Sequence, residues 1–132
     1  MMGYLEGNGL SFRTLEEANM RRLPEFKNGR GEKAHSKDDG SDWCLAQWCN
    51  AVCGELGEAA NLIKKIERGD FTLDEKRDAL GAEFADVVIY LSILSNRAGI
   101  DLSTAVTRKF NEVSDRVGSQ VYIQDDDWHY RR

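Results

Sequence analysis

The sequence predicts an all-α protein, a helical bundle of three long helices and one short N-terminal helix. From residue 41 onward, apolar residues recur at intervals of three and four, which is the helical period. The one proline, Pro24, lies before that stretch, so no residue in it breaks a helix rigidly. Alternation of apolar and polar residues, the mark of a strand, is convincing only in a short VYI segment near the end.

The first two helices are placed by capping signals. A short helix is expected from about Leu15 to Leu23, with Thr14 and Glu17 forming a capping box. The first long helix is expected over about 42–68, with Ser41 as its N-cap and glycine just past its end. Its apolar stripe, expected to face the core, consists of Leu45, Trp48, Cys49, Val52, Leu56, Ala59, Ile63 and Ile66.

The second and third long helices have equally clear ends. Thr72 and Glu75 form a capping box at the start of the second, which is expected to stop at Gly99. The third is expected to run from about Asp101 to just before Gly118. The residues expected to point inward are Leu80, Phe84, Val87, Leu91, Leu94 and Ala98 in the second helix, and Leu102, Val106, Phe110, Val113 and Val117 in the third.

Length and charge limit the function. The 132 residues are expected to form one domain, 1–132, with an irregular loop at about 27–41 and an irregular tail at about 119–132. The net charge of -5 argues against a partner that is a nucleic acid polymer. No apolar run suits a membrane span, and the first residues do not resemble a signal peptide, so a cytoplasmic protein is expected. The three cysteines are expected to be buried, reduced thiols.

Two pairs of carboxylates carry the predicted chemistry. Glu55 and Glu58 lie on the first long helix, and Glu83 and Asp86 lie on the second. Members of each pair are three residues apart, so both lie on one side of their helix, at the flank of its apolar stripe. If the two helices pack antiparallel, the pairs converge and form a site for Mg²⁺, for which Mn²⁺ can substitute. The alternative is that all four are ordinary charges on solvated helix faces.

The segments around these carboxylates resemble a known family. GELGEAANLIKKIERGD, EFADVVIYLSILSNRAGIDLSTAV and KFNEVSDRVGS are similar to the MazG-like, all-α nucleoside triphosphate pyrophosphohydrolases. The signature of that family is ExxE, a spacer and ExxD, and here 24 residues separate the two pairs. ANMRRLPEFKNGRGEKAHS and GSDWCLAQW resemble the front end of phage-type members, so the resemblance covers about residues 14–123.

The resemblance implies a Mg²⁺-dependent hydrolysis between the α- and β-phosphates of a nucleoside triphosphate, giving the monophosphate and pyrophosphate. It assigns both catalysis and metal binding to Glu55, Glu58, Glu83 and Asp86. The phage-type features favour a deoxynucleotide of the dGTP, dCTP or dUTP type, with a role in nucleotide-pool control in the host cytoplasm. The alternative function is a catalytically weak nucleotide-binding or helical interaction module.

Six further residues are candidates for substrate binding. Basic side chains would meet the phosphate charge, an asparagine would hydrogen-bond phosphate or ribose, and aromatic rings would stack on the base. Each has an alternative as an ordinary surface or core residue. The candidates are Lys65, Lys109, Arg116, Asn111, Trp43 and Tyr90. The loop containing His35 either folds over the nucleotide or lies exposed.

Self-association is expected from the second long helix, which is apolar nearly all the way round. Ile89 and Ile93 point about 160° or more away from the centre of the inward stripe. A helix that is apolar on two sides must be buried on two sides. We expect a dimer or tetramer with Ile89 and Ile93 at or near its interface, and the family resemblance implies the same assembly. The alternative is that the N-terminal helix and the tail cover this face within one chain.

Overall fold

A computed structural model of the protein describes residues 9–124, and the architecture in that range is all-α, as predicted. None of the helices described there is long and apolar enough to cross a membrane. Two isolated bridges, Lys27 with Lys33 and Ser36 with Asp42, fold the long loop onto itself. The helices are α1 (Phe12–Arg22), a 3-10 turn (Leu23–Glu25), α2 (Leu45–Glu67), α3 (Leu73–Arg97) and α4 (Leu102–Val117).

The ends of α3 and α4 agree with the capping signals in the sequence. The Thr72 Oγ1 accepts a hydrogen bond from the Glu75 amide at 3.2 Å, and Glu75 Oε2 accepts one from the Thr72 amide at 2.7 Å. This is the predicted capping box. At the start of α4, Asp101 Oδ1 accepts from the Thr104 amide. Gly118 ends α4 with a φ of +70°, a left-handed conformation that glycine adopts without strain.

The starts of α1 and α2 differ from the prediction. Helix α1 begins earlier, because Ser11 rather than Thr14 is the N-cap and its Oγ accepts from the Thr14 amide at 3.0 Å. Helix α2 begins later than Ser41 suggested, because Cys44 is its N-cap. There the Cys44 amide donates to Gln47 Oε1 at 2.9 Å, and residues 42–43 stay in the loop.

Helices α2 and α3 form the centre of the fold and run antiparallel. Trp48, near the start of α2, lies 6.3 Å from Tyr90 in the second half of α3, measured between ring centres. Helix α1 packs on one side of α3. Helix α4 contacts α1 and α3 but does not contact α2, so it lies at the edge of the molecule.

The core lies between α1, α2 and α3. Leu23, Trp48 and Ile93 form its central cluster, and Trp48 is fully enclosed. Ile93, predicted with Ile89 to lie at or near a subunit interface, is buried within the chain, so the prediction is wrong for Ile93. Ile93 is only 4% exposed, and the carbonyl oxygen of Ile89 accepts a hydrogen bond from Asn19 Nδ2 of α1.

Within residues 9–124, the opposite side of α3 is largely exposed, which corrects the predicted inward stripes. Phe84, Val88 and Leu91, spaced by four and three residues, share one face of α3, which we call its outer face. Phe84 is 48% exposed, although it was expected to point inward. The other residues expected inside but exposed in the single chain include Leu45, Leu56, Ile63, Phe110 and Val117.

The cysteines also differ from expectation. All three are free and exposed rather than buried. Cys44 has the capping position described above, while Cys49 and Cys53 lie one turn apart on the surface of α2. Their exposure has the same cause as that of Leu45 and Leu56, because no other element of residues 9–124 packs on that flank of α2.

Candidate metal centre and adjoining cavity

Three carboxylates meet at the seam between α2 and α3. Glu55 comes from α2, and Glu83 and Asp86 come from successive turns of α3. Each offers a carboxylate oxygen, and these three oxygens all lie within 4.8 Å of one another. The antiparallel packing brings Glu55 beside Glu83, and the i, i+3 spacing places Asp86 on the same side of α3. Within residues 9–124, this is the one group of three or more potential metal ligands so close together.

The carboxylates of this acidic cluster repel one another, and the pKa of Glu55 shows the effect. The pKa of Glu55 is raised above its ordinary value of 4.5, first by burial and then by the charge of Asp86. A hydrogen bond with Glu83 and the charges of Glu83 and Glu58 raise it further. Every charged group that shifts this pKa is itself a carboxylate, so either a proton or a cation would relieve the repulsion.

Glu58, the fourth predicted ligand, is not part of the cluster. It lies one turn beyond Glu55 on α2 and its side chain is exposed. Its charge still contributes to the raised pKa of Glu55, although it is the smallest of the five causes. The structure therefore brings three of the four predicted carboxylates together and leaves Glu58 beside them.

The three clustered residues suit a hard divalent cation. Carboxylate oxygens are the ligands that Mg²⁺ and Mn²⁺ prefer, and the clustered residues offer neither sulfur nor imidazole, which would favour softer metals. Because neighbouring carboxylates raise the pKa of Glu55, a positive charge placed among them would be stabilising. The donor chemistry therefore fits the predicted cofactor.

A cavity of about 240 Å³ adjoins the acidic cluster. It lies between α1, the loop before α2, and α3. Asp86 belongs both to the cluster and to the wall of the cavity, so the two form one continuous site. Polar and aromatic side chains in the wall are Asn19, Arg22, Phe26, His35, Asp86 and Tyr90.

Tyr90 connects the cavity with the acidic cluster. It lines the cavity, and its pKa is raised by burial and by the nearby charges of Glu55 and Asp86. The phenol is therefore held in its protonated form and can donate a hydrogen bond at neutral pH. Tyr90 is the one predicted substrate-binding residue that the structure places at this site.

His35 is a residue of the site whose burial the sequence did not reveal. Only 7% of it is exposed, although it lies in a polar loop rich in glycine. Its ring centre is 5.5 Å from that of Phe26 and 5.0 Å from those of Trp43 and Trp48. Burial lowers its pKa, so the ring is neutral at physiological pH. Its Nδ1 is buried without a hydrogen-bond partner among residues 9–124.

Trp43 helps to hold the loop and does not line the cavity. Its ring centre is 4.9 Å from that of Trp48, and it also borders a separate, open groove on α2. Its neighbour Asp42 forms an ion pair with Arg97 of α3, which fixes the end of the loop to the bundle. The expected stacking of Trp43 on a base therefore finds no support in this arrangement.

The three predicted phosphate-binding cations do not reach the cavity in the single chain. Lys65 is half-buried on α2, two turns beyond Glu58. Lys109 forms an ion pair with Glu112 at 2.7 Å. Arg116 is exposed on the same helix, α4, which makes no contact with α2. All three lie outside the cavity wall.

The side chain of Asn111 is hydrogen-bonded to the backbone of Ile123. Its Nδ2 donates to the carbonyl oxygen of Ile123 at 2.8 Å, and its Oδ1 accepts from the Ile123 amide at 2.9 Å. Ser114 Oγ donates to the carbonyl oxygen of Val121 at 2.6 Å. These bonds hold residues 119–124 against α4. They occupy both polar atoms of the Asn111 side chain, so the structure gives Asn111 a structural role in place of the predicted contact with substrate.

Comparison with known proteins gives one informative match. The chain is 40% identical over 67 residues to the Gene 37 protein of Mycobacterium phage L5. The match covers 49% of this chain and 59% of that relative, so it spans little more than half the length of the phage protein. No family model matches the chain, and no solved structure matches it. The name of the phage protein specifies no activity.

Proposed function

We propose that the protein is a Mg²⁺-dependent nucleoside triphosphate pyrophosphohydrolase that releases the monophosphate and pyrophosphate. The supporting observation is that the cluster of Glu55, Glu83 and Asp86 opens, through Asp86, into a cavity lined by aromatic rings. At about 240 Å³ the cavity is smaller than the 300–1,000 Å³ typical of drug-sized ligands, and it suits a nucleobase. The similarity to a phage protein agrees with the phage-type resemblance, which is the reason for proposing a deoxynucleotide substrate.

Each part of the site has a role in this proposal. Glu55, Glu83 and Asp86 would hold Mg²⁺, for which Mn²⁺ can substitute. A bound Mg²⁺ supplies charge neutralisation for the triphosphate and a lowered pKa for water. Glu58, exposed one turn from Glu55, would orient the attacking water and accept its proton. The water attacks the α-phosphorus, the bond to the bridging oxygen breaks, and pyrophosphate leaves.

The cavity would position the nucleotide for this attack. The rings of Phe26, His35 and Tyr90 lie in its wall and offer apolar surfaces to a base. The Tyr90 phenol, which stays protonated, would donate a hydrogen bond to substrate oxygen near Asp86. A base bound in the cavity would hold the triphosphate at a fixed distance from the carboxylates. Holding the reacting groups in place in this way raises the rate.

Self-association is part of the same proposal, at a different face from the one first predicted. We propose that a second copy covers the outer face of α3, since Phe84, Val88 and Leu91 are exposed in the single chain. Leu56 and Ile63 of α2 are exposed as well. Burial of such residues between two copies, as a dimer or within a tetramer, resembles an obligate homodimer interface.

The decisive experiment is a panel of ribo- and deoxyribonucleoside triphosphates incubated with the full chain and Mg²⁺. Monophosphate and pyrophosphate in equal amounts are expected, and the Glu83→Gln variant should form neither at a comparable rate. Orthophosphate with diphosphate would mean that a different bond is cut and would refute the proposal. Nucleotide binding without any product would instead support the weak nucleotide-binding module.

A further inference from the structure

We infer that Arg22 binds the phosphate adjoining the sugar of the substrate, an inference that rests on the proposed function. Arg22 is the last residue of α1, and its side chain lines the cavity together with Asp86. Of the residues in the cavity wall it is the one permanent cation, because the buried His35 is neutral at physiological pH. The cations predicted from sequence lie elsewhere.

The guanidinium of Arg22 is held by an aromatic ring and not by a carboxylate. Its central carbon lies 5.5 Å from the ring centre of Phe26. A cation–π contact of this kind does not use up all the N–H donors of a guanidinium, so Arg22 keeps donors for another partner. Within residues 9–124 no acidic side chain pairs with Arg22, whereas its neighbour Arg21 pairs with Glu17 at 2.6 Å. Arg22 therefore has an unsatisfied capacity for an anion.

The geometry of the cavity determines which anion this is. The cavity has the volume of a sphere about 8 Å wide, and both Arg22 and Asp86 line it, so they are close enough to act on one nucleotide. If the base occupies the cavity and the metal lies at the acidic cluster, the phosphate next to the sugar passes between them. The forked N–H groups of Arg22 suit the two non-bridging oxygens of that phosphate.

The test compares Arg22→Gln, Arg22→Lys and the control Arg21→Gln. Affinities for a deoxynucleoside and for its monophosphate are measured by calorimetry with the full chain, using the base found in the triphosphate panel. Arg22→Gln should weaken monophosphate binding about 10-fold and raise KM to a similar extent. Its affinity for the deoxynucleoside should change less than about 2-fold. Arg22→Lys should be intermediate, because it keeps the charge but loses the fork.

The outcomes separate the inference from the proposed function. Equal losses of deoxynucleoside and monophosphate affinity would show that Arg22 contacts the base and would overturn the inference. Unchanged binding and KM in Arg22→Gln, with hydrolysis intact, would overturn it as well while leaving the proposed function standing. Absence of nucleotide binding and hydrolysis in the wild-type protein would overturn both. Arg21→Gln, which removes the neighbouring exposed cation, must behave as wild type, and melting curves check that each variant is folded.

Discussion

The two faces of α3 are similarly apolar in sequence, but the chain buries one of them and leaves the other exposed. Ile89 and Ile93 lie on what we call the inner face: Ile93 packs in the core with Leu23 and Trp48, and the carbonyl oxygen of Ile89 accepts a hydrogen bond from Asn19 of α1. Phe84, Val88 and Leu91 on the outer face are exposed. Both faces carry large apolar residues, so hydrophobic periodicity alone could not tell which one the chain covers by itself. The difference shows that an interface between subunits can be predicted only once it is known which face of α3 the helix α1 packs against.

The residues of the candidate site lie on the inner side of this division. Asp86 comes one turn before Ile89 and Tyr90, and the cavity wall contains all three. The elements that cover the inner face are therefore the ones that build the site. The outer face carries no member of the acidic cluster, so it is free to associate with a second copy. Changes on the two faces should affect different measurements.

The largest effect is expected from Glu83→Gln, which should lower turnover about 100-fold or more, since a charged ligand at the reacting centre is lost. The same loss is expected for Asp86→Asn. Glu112→Gln, which removes a carboxylate from α4, serves as the control and should retain activity. Rates of pyrophosphate release measure the effect. Near-normal turnover in both cluster variants would remove the metal-centre assignment.

Ile93→Ala and Leu91→Ala contrast the two faces directly. Ile93→Ala leaves a cavity in the core and should lower the free energy of unfolding by about 2–4 kcal/mol. Leu91→Ala, on the outer face, should cost much less at protein concentrations where the proposed assembly dissociates, and more where it persists. Urea unfolding measures both. Leu91→Glu should in addition convert the assembly to a monomer by light scattering, and a monomeric wild-type protein would contradict the proposed association.

Added Mg²⁺ should raise the melting temperature, since a ligand that binds only the folded state stabilises it. A Mg²⁺ concentration about ten times its dissociation constant should stabilise by about 1.4 kcal/mol, or about 4 °C. The double variant Glu83→Gln, Asp86→Asn should show little of this shift in differential scanning calorimetry. An equal shift in that variant would place the binding of Mg²⁺ elsewhere.

The smallest effect concerns pH. Because the pKa of Glu55 is raised in the folded protein, the native state binds more protons than the unfolded state between 4.5 and that raised value. Metal-free protein should therefore lose stability as the pH rises through this window. Glu55→Gln should lack this slope while keeping the opposite contribution of His35, whose lowered pKa favours folding at higher pH. Urea unfolding with EDTA at several pH values measures the difference between the two proteins.

The sequence predicted what depends on local signals. The helix ends at Thr72 and Gly118 follow from short-range capping rules, and the i, i+3 carboxylates placed Glu83 and Asp86 correctly on one side of α3. What it missed depends on contacts between distant segments. Asn19 and Ile89 are 70 residues apart in sequence, and no period or spacing signals that α1 covers the inner face.

The same reason explains the substrate residues. Lys109 and Arg116 share a face of α4, but the pattern within one helix does not show that α4 avoids α2. The sequence does not single out Arg22, because it ends a short helix that carries no motif. His35 lies in a loop whose composition is that of an exposed segment, yet three aromatic rings enclose it. Its partners Phe26 and Trp43 were visible in the sequence only as isolated aromatic residues.

The aromatic packing around the loop has a spectroscopic consequence. The indoles of Trp43 and Trp48 are 4.9 Å apart at an interplanar angle of 53°, close enough for their electronic transitions to couple. Trp43 belongs to the segment that leads into α2, and Trp48 belongs to α2 itself. The ring of His35, from the loop, contacts both indoles. The near-ultraviolet circular dichroism of the protein should therefore carry a signal from fixed tryptophan packing. The chain thus contains its own optical reporter for the position of the loop beside the cavity.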